Sequence, residues 1–442
     1  MPENYVLLER TELNAAAASV TFANIPQTGY TDLKIVISAR STGTSIGMVL
    51  LLNGSSSSIT TRAIEGNGAS AISYTSTNIL GYIVPSGATA NTFGNTEVYI
   101  PNYTGSTFKS VSVDSVNETN ATTAYSLLNA FLWSNTAAIT SLTIQSDSTG
   151  SNSLAAGSTF SLYGIAAVGT TPAIAPKADG GNRIDNDGTY WYHTFTSSGN
   201  FVPQIGLTCD YLVVAGGGSG NGGYLGGGGA GGLRSTVTAT GGGGSLESAI
   251  GVISGTAYPI TVGAGGTTGL KGSNSVFSTI TSFGGGGANS GSERNGGSGG
   301  GGGAQTISPT AGTGTAGQGR NGGDGNVTNG ASAGGGGAAV AGSAGSGFVG
   351  GNGGNGVQIT AFATPTATGA DSGYYAGGGG GGSDSGGPSS GGLGGGGAGG
   401  RSGGLNAVSG VANTGGGGGS TYTGGGYGNG GSGIVIIRYP IA

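Results

Sequence analysis

The sequence predicts an all-β chain in two parts: a jelly-roll-like β-sandwich, then a glycine-rich domain of packed polyglycine-II helices framed by a few β-strands. Three observations lead there. Short apolar runs, several alternating at period two, fill the first 168 residues, with no convincing amphipathic helix. Of the 107 glycines, 18 lie in the first 200 residues and the other 89 in the remainder, a compositional break that marks a domain boundary. Ordinary apolar strands stand at both ends of the glycine-rich part, which implies a closed domain and not a tail.

The strands of the first part (residues 1–168) are expected at 5–8, 19–25, 32–40, 48–52, 59–64, 97–100, 108–116, 126–134, 139–145 and 159–166. In Leu33–Ala39 the odd positions are apolar, and Val111 and Val113 share a face. Turn clusters such as Asn53-Gly54-Ser55 and Pro85-Ser86-Gly87 separate the runs. The stretch 12–18 is short and Ala-rich, the one place that tolerates a helix. Residues 169–188 read as a linker, stiffened by Pro172 and Pro176 and broken by turns at 179–181 and 187–188. The second part (189–442) opens with an aromatic strand at 190–196 and another at 209–215, and closes on a strand at 434–439.

Between those strands run glycine tracts at 226–229, 241–244, 284–287, 299–303, 334–337, 377–382, 394–397 and 415–419. A flexible spacer would be uniform in Gly and Ser; here the intervening segments carry Tyr, Phe, Leu, Val and Arg. Polyproline-II-type helices have three residues per turn and no internal hydrogen bonds. Without Cβ atoms such helices can pack side by side and bond backbone to backbone. Each tract then spans one or two turns, and the varied segments become loops at the ends of the bundle.

Charged residues make up 7% of the chain, against roughly 25% in ordinary globular proteins. The net charge is −5, with one histidine and one cysteine. This excludes a disulfide framework, a Cys/His zinc site and a basic stripe for nucleic acid. Strict collagen periodicity is absent. No metal and no cofactor is expected. No run of about 18 apolar residues suggests membrane insertion, and Met1-Pro2-Glu3-Asn4-Tyr5 has no signal-peptide character. Gly218–Gly223 matches G-x-G-x-x-G after a strand, but the next residues cannot sustain the helix that would hold a pyrophosphate. His193, in an aromatic strand, and Cys209 read as packing residues, so no catalytic residue is expected. Asp185 and Asp187 resemble a calcium loop in composition but lack further ligands, which favours a plain turn.

The opening run from the aromatic strand through Phe201-Val-Pro to Asp210-Tyr-Leu-Val-Val-Ala-Gly-Gly-Gly resembles the start of glycine-rich domains in phage tail-fibre and virion structural proteins. Gly226–Arg234 fits the same pattern, and Gly431–Tyr439 resembles its end. The repeated tracts are similar to the polyglycine-II sandwiches of some long-tail-fibre adhesins. The resemblance covers roughly residues 189–442 and implies a non-enzymatic virion protein: a tail-fibre or tail-tip receptor-binding adhesin on the particle surface. It implies a homotrimer, joined to other virion proteins by the sandwich. The host ligand would be a surface polysaccharide or an outer-membrane protein. The aromatic and basic islands between tracts are the candidate receptor-binding residues: Tyr224, Arg234, Phe348, Tyr374, Tyr375, Arg401, Tyr422 and Tyr427. Tyrosine offers a ring face and a hydroxyl at low rotamer cost, and loops on a rigid scaffold are where recognition sits. Two other readings remain open: a capsid decoration or head-fibre protein, and an ice-binding protein, which would need regular Thr or Ala spacing across tracts.

Overall fold

The computed structural model describes residues 5–441 apart from 45, 77, 120–123, 148–151, 167–174, 290, 306–307 and 329. The chain divides into two compact units. The first holds residues up to 176 with 182–191 and 441–442; the second holds 177–181 and 192–440.

The first unit is an antiparallel β-sandwich. Its strands are β1 (Tyr5–Glu12), β2 (Ser19–Phe22), β3 (Tyr30–Ala39), β4 (Gly47–Leu52), β5 (Ile59–Gly66), β6 (Ala71–Ser76), β7 (Ile79–Tyr82), β8 (Gly94–Ile100), β9 (Lys109–Val116), β10 (Ser126–Trp133), β11 (Leu142–Gln145) and β12 (Thr159–Ala166). Two short strands follow, β13 (Ala178–Asp179), which belongs to the second unit, and β14 (Arg183–Asn186), which belongs to the first. The larger sheet of the unit runs β14-β1-β12-β3-β8-β9-β10-β5-β6, the smaller β2-β11-β4-β7. The period-two pattern sets the core. Leu33, Ile35, Ile37 and Ala39 all point inward, to meet Met48, Leu50 and Leu52 of the smaller sheet. All ten expected strands are present. β6 and β7 are additional, and residues 12–18 form no helix.

The linker expectation is corrected at its C-terminal half; residues 169–174 of it lie outside the described residues. β14 pairs with β1 through Arg10↔Ile184 and Thr11↔Arg183, and so belongs to the first unit. A β-bulge between Leu7 and Glu9 turns the Glu9 carboxylate into the interior. There Arg183 meets Glu9 at 3.4 Å and Asp185 at 2.7 Å. Burial, reinforced by the Asp185 charge, raises the Glu9 carboxyl well above its ordinary value of 4.5. A raised carboxyl favours the fold below the unfolded value, and that contribution is lost as pH rises through the folded value. The first unit is therefore expected to melt higher at pH 5 than at pH 8, and Glu9→Gln to flatten that dependence in a pH series of melts. Asp187 is a turn residue: its Oδ1 accepts the amides of Thr189 and Tyr190 at 2.8 Å each.

The second unit contains β15 (Tyr190–Phe195, from Tyr192 onward), β16 (Gly199–Pro203), β17 (Leu207–Val214), β18 (Leu233–Ser235), β19 (Ile250–Val252), β20 (Tyr258–Thr261), β21 (Ser275–Phe277), β22 (Ile280–Ser282), β23 (Val357–Gln358), β24 (Tyr374–Tyr375) and β25 (Ile434–Pro440). The opening and closing strands are neighbours: β17 pairs with β25 from Asp210↔Arg438 to Val214↔Ile434. One short helix, α1 (Thr360–Thr366), packs Phe362 edge-on to Tyr192.

Beyond the strands the backbone bonds at a period of three. In the segment 226–232, the amides of Gly227 and Ala230 go to the carbonyls of Ala333 and Gly336 at 3.0 and 2.9 Å. Those of Gly228 and Gly231 go to Gly418 and Gly415, and those of Gly229 and Gly232 to Gly286 and Phe283. Its carbonyls accept from three further segments, through Gly301 and Ser298, Gly218 and Ala215, and Gly379. One segment thus donates to three neighbours and accepts from three others, which is the packing of three-residue-per-turn polyglycine-II helices. Segments 215–220 and 332–337 show the same period. Where a Cβ would point at a neighbouring helix there is no room for it: one placed on Gly228 would lie 2.1 Å from the Gly218 carbonyl oxygen.

Two expectations about the tracts are refined. Residues 241–244 form no bundle helix but a tight 3-10 turn, in which Gly242 and Gly243 take φ of 63° and 66°. The varied segments are not only loops. Residues 405–413 are an outer helix of the bundle: Val408 and Val411 bond to Ala398 and Gly395, Ala407 and Gly410 to Gly426 and Asn429. One face in three is turned inward, so only that row must be small; at Gly410 a Cβ would meet the Gly416 carbonyl oxygen at 2.1 Å. At the perimeter, side chains stand in for the missing next helix. Asn352 and Asn355 accept the amides of Ser390 and Leu393 at 2.9 and 3.0 Å.

Candidate functional site

The bundle helices start at the strands and turn back at the opposite end. The first leaves β17 at Ala215 and reaches its turn at Asn221. Around that turn the distal loops are tied together. The Tyr224 amide donates to the Tyr422 carbonyl at 3.0 Å, and the Ala304 amide to that of Tyr224 at 2.7 Å. The Gln305 side chain donates to the Tyr422 hydroxyl at 2.8 Å, and its amide to Asn326. Asp384 donates its amide to Gly330 and Phe348, Ser402 to Ser383, and Arg401 to Leu405. The Tyr427 hydroxyl reaches Thr268 at 3.4 Å.

Five of the eight candidate residues therefore meet at this tip: Tyr224, Phe348, Arg401, Tyr422 and Tyr427. Their roles differ. Tyr224 and Tyr422 pack ring edge to ring face at 4.6 Å, and Tyr422 is buried. Burial and the Asp384 carboxylate raise its phenol above the ordinary value. Gly330 lies beneath that ring; a Cβ there would meet the hydroxyl oxygen at 2.5 Å. The pair organises the tip. Phe348 is 49% exposed, Arg401 and Tyr427 are exposed, and Val327, Val349 and Leu405 stand in solvent beside them.

The other three lie away from the tip. Arg234 holds the Glu247 carboxylate with two nitrogens, at 2.6 and 2.8 Å, on β18 at the strand end. Tyr374 and Tyr375 form β24, which pairs with β23 at that same end. Tyr375 is 0% exposed and its hydroxyl bonds Thr368 at 2.6 Å, so it cannot touch a partner. A residue beside a long tract was expected at a loop tip; this one is buried against the turn that follows α1 instead, and its replacement by alanine is expected to cost about 3–5 kcal/mol of stability.

The strand end is closed by the one histidine. His193 is buried, its Nδ1 2.7 Å from the Gly180 carbonyl and its Nε2 2.9 Å from the Tyr439 hydroxyl. The Gly180 carbonyl can only accept, so Nδ1 carries the proton and Nε2 accepts from Tyr439, which in turn accepts the Lys177 amide at 2.9 Å. Burial lowers the imidazole to about 4. Cys209 is buried in the strand before the bundle, its thiol pushed up to about 12 by desolvation. The G-x-G-x-x-G amides are already engaged: Gly218, Ser219 and Gly220 donate to Gly229, Leu270 and Gly428. The tip itself carries ring faces, hydroxyls, the Asp384 carboxylate and the Arg401 guanidinium on a backbone-bonded base.

A family model described as a glycine-rich domain matches residues 194–440, more than half of the chain. No curated protein and no solved structure matches. Since the match runs from the aromatic strand that carries His193 to the closing strand that carries Tyr439, and takes in every helix of the bundle, the chain belongs to the glycine-rich domain family.

Proposed function

We propose that this protein is a receptor-binding adhesin of a phage virion, the first unit joining the particle and the tip loops of the second meeting the host surface. One observation carries the reading: the exposed aromatic, aliphatic and cationic side chains at 327, 348–349, 401, 405 and 427 converge on the end of the bundle away from its strands. The tracts themselves present backbone alone, so selectivity has to come from these loops. Their fixed base means little conformational entropy is lost on contact, and many copies on one particle add weak sites together.

The test is a triple variant, Phe348→Ser, Arg401→Ser and Tyr427→Ser, carried on the particle. Adsorption to the bacterium on which the particle grows is expected to fall at least about tenfold, the range multivalent contacts reach, with melting and assembly unchanged. Parental adsorption by this variant would make the bundle a scaffold and favour the capsid-decoration reading, which antibody labelling of the particle would then locate.

A further inference from the structure

The outer face of the larger sheet in the first unit is unlike an ordinary solvent face. Antiparallel sheets with one wet side alternate apolar-in and polar-out. Here the outward rows carry Ile64 at 64% exposure and Leu128 at 59%, with Tyr99 and Phe108 also exposed. Between them lies a floor of small residues, Ser110, Ser112 and Ala130, in a shallow groove of about 840 Å³. A second groove of about 360 Å³ adjoins it across Tyr99 and Leu128. Contiguous apolar surface of this kind marks an interaction site.

The charges on the face say what covers it. Glu97 and Asp114 stand directly opposite each other across β8 and β9, a like-charge pairing that destabilises a sheet unless a cation joins it. Lys34 answers Glu97 at 2.7 Å. No ion pair answers Asp114 among the described residues. Arg62 lies on the same face, on β5, with its guanidinium on its own neighbour's carbonyl at Thr61 and no carboxylate partner among the described residues. Of the charged residues that line the two grooves, Asp114 and Arg62 are thus the acid and the cation that no ion pair answers among the described residues, so one copy of the face can complement another.

We propose that this face is where copies of the chain associate, with Leu128 and Ile64 buried at the centre and Arg62 of one copy against Asp114 of the next. A closed ring or a two-fold pair satisfies every such charge. The inference does not depend on the adhesin reading.

Light scattering of the full chain at micromolar concentration tests it. The expected mass is a multiple of 41.7 kDa; a single 41.7 kDa species would overturn the proposal. Ile64→Thr with Leu128→Thr, at exposed positions that face each other across β5 and β10 and where threonine suits a strand, is expected to give single copies, and a variant that associates like the parent overturns it equally. Arg62→Asp is expected to weaken association about tenfold, within the range of interfacial charge pairs, and adding Asp114→Arg to restore it. Failure of the double swap to restore association would contradict the pairing.

Discussion

Gly379→Val is expected to destabilise the glycine bundle by at least ~3 kcal/mol, the upper range of overpacking, and to leave the sandwich of the first unit unchanged. A Cβ on Gly379 would lie 2.0 Å from the Gly418 carbonyl oxygen and 2.5 Å from its carbon. Both are backbone atoms of a helix that is itself bonded on several sides, so nothing local can yield. The Gly379 amide also donates to Gly228 at 2.9 Å, in the segment bordered by six others. Displacing it therefore disturbs the centre of the lattice. Gly387→Ala is the control: it is exposed, has ordinary φ and would meet nothing within 4 Å. For a unit of this size ~3 kcal/mol lowers Tm by roughly 10 °C, and differential scanning calorimetry of the two variants reads it. Equal melting of both would contradict close packing.

Acid is expected to weaken the second unit through His193. The ring is fully buried and neutral, its value lowered to about 4 from an ordinary 6.5, chiefly by desolvation. A group depressed by folding contributes stability that is present above the unfolded value and lost as pH falls toward the folded one. Between pH 7 and pH 4 the loss is roughly 3 kcal/mol, at 1.36 kcal/mol per unit. Protonation puts a second donor at Nε2, so the Tyr439 hydroxyl, which has been donating there, must turn its own proton away and accept instead, in a site closed on that side by the Lys177 amide. Exchange of the amides of residues 434–439 in β25 as a function of pH measures this. The first unit moves the other way, since its Glu9 carboxyl is raised, so the two units are expected to respond to pH with opposite sign.

Much of the sandwich was legible because its outer and inner rows differ in polarity, as at Leu33–Ala39. β6 and β7 were not. Ala71–Ser76 is exposed on most of its length and carries no clean alternation, and Ile79–Tyr82 contains Gly81, where a Cβ would meet the Ser115 hydroxyl at 2.8 Å. α1 was missed because three of its seven residues are threonines and one is Pro365. The bundle was legible from its tracts, but its outer helices were hidden in segments that look variable. Their signal is a small residue at every third position, such as Gly342 and Gly345, whose absent Cβ atoms would meet the Gly334 and Ala331 carbonyls. The candidate site was legible only as a set of residue types. Which tyrosine is buried depends on contacts between distant turns: Tyr422 lies under the 224 loop and on Gln305, and Tyr375 lies against the turn that follows α1.

The central claim is that the glycine segments are ordered helices held by backbone bonds of three-residue period. Residue-resolved amide hydrogen exchange at neutral pH tests it most directly. The amides of Gly227–Gly232 and Gly377–Gly381 are each bonded to another segment and are predicted to be protected as strongly as those of β17 and β25. Gly403, Gly404 and Gly424, in open turns, are predicted to exchange freely. Tract amides exchanging as fast as these turns would show the tracts to be flexible spacers and contradict the account.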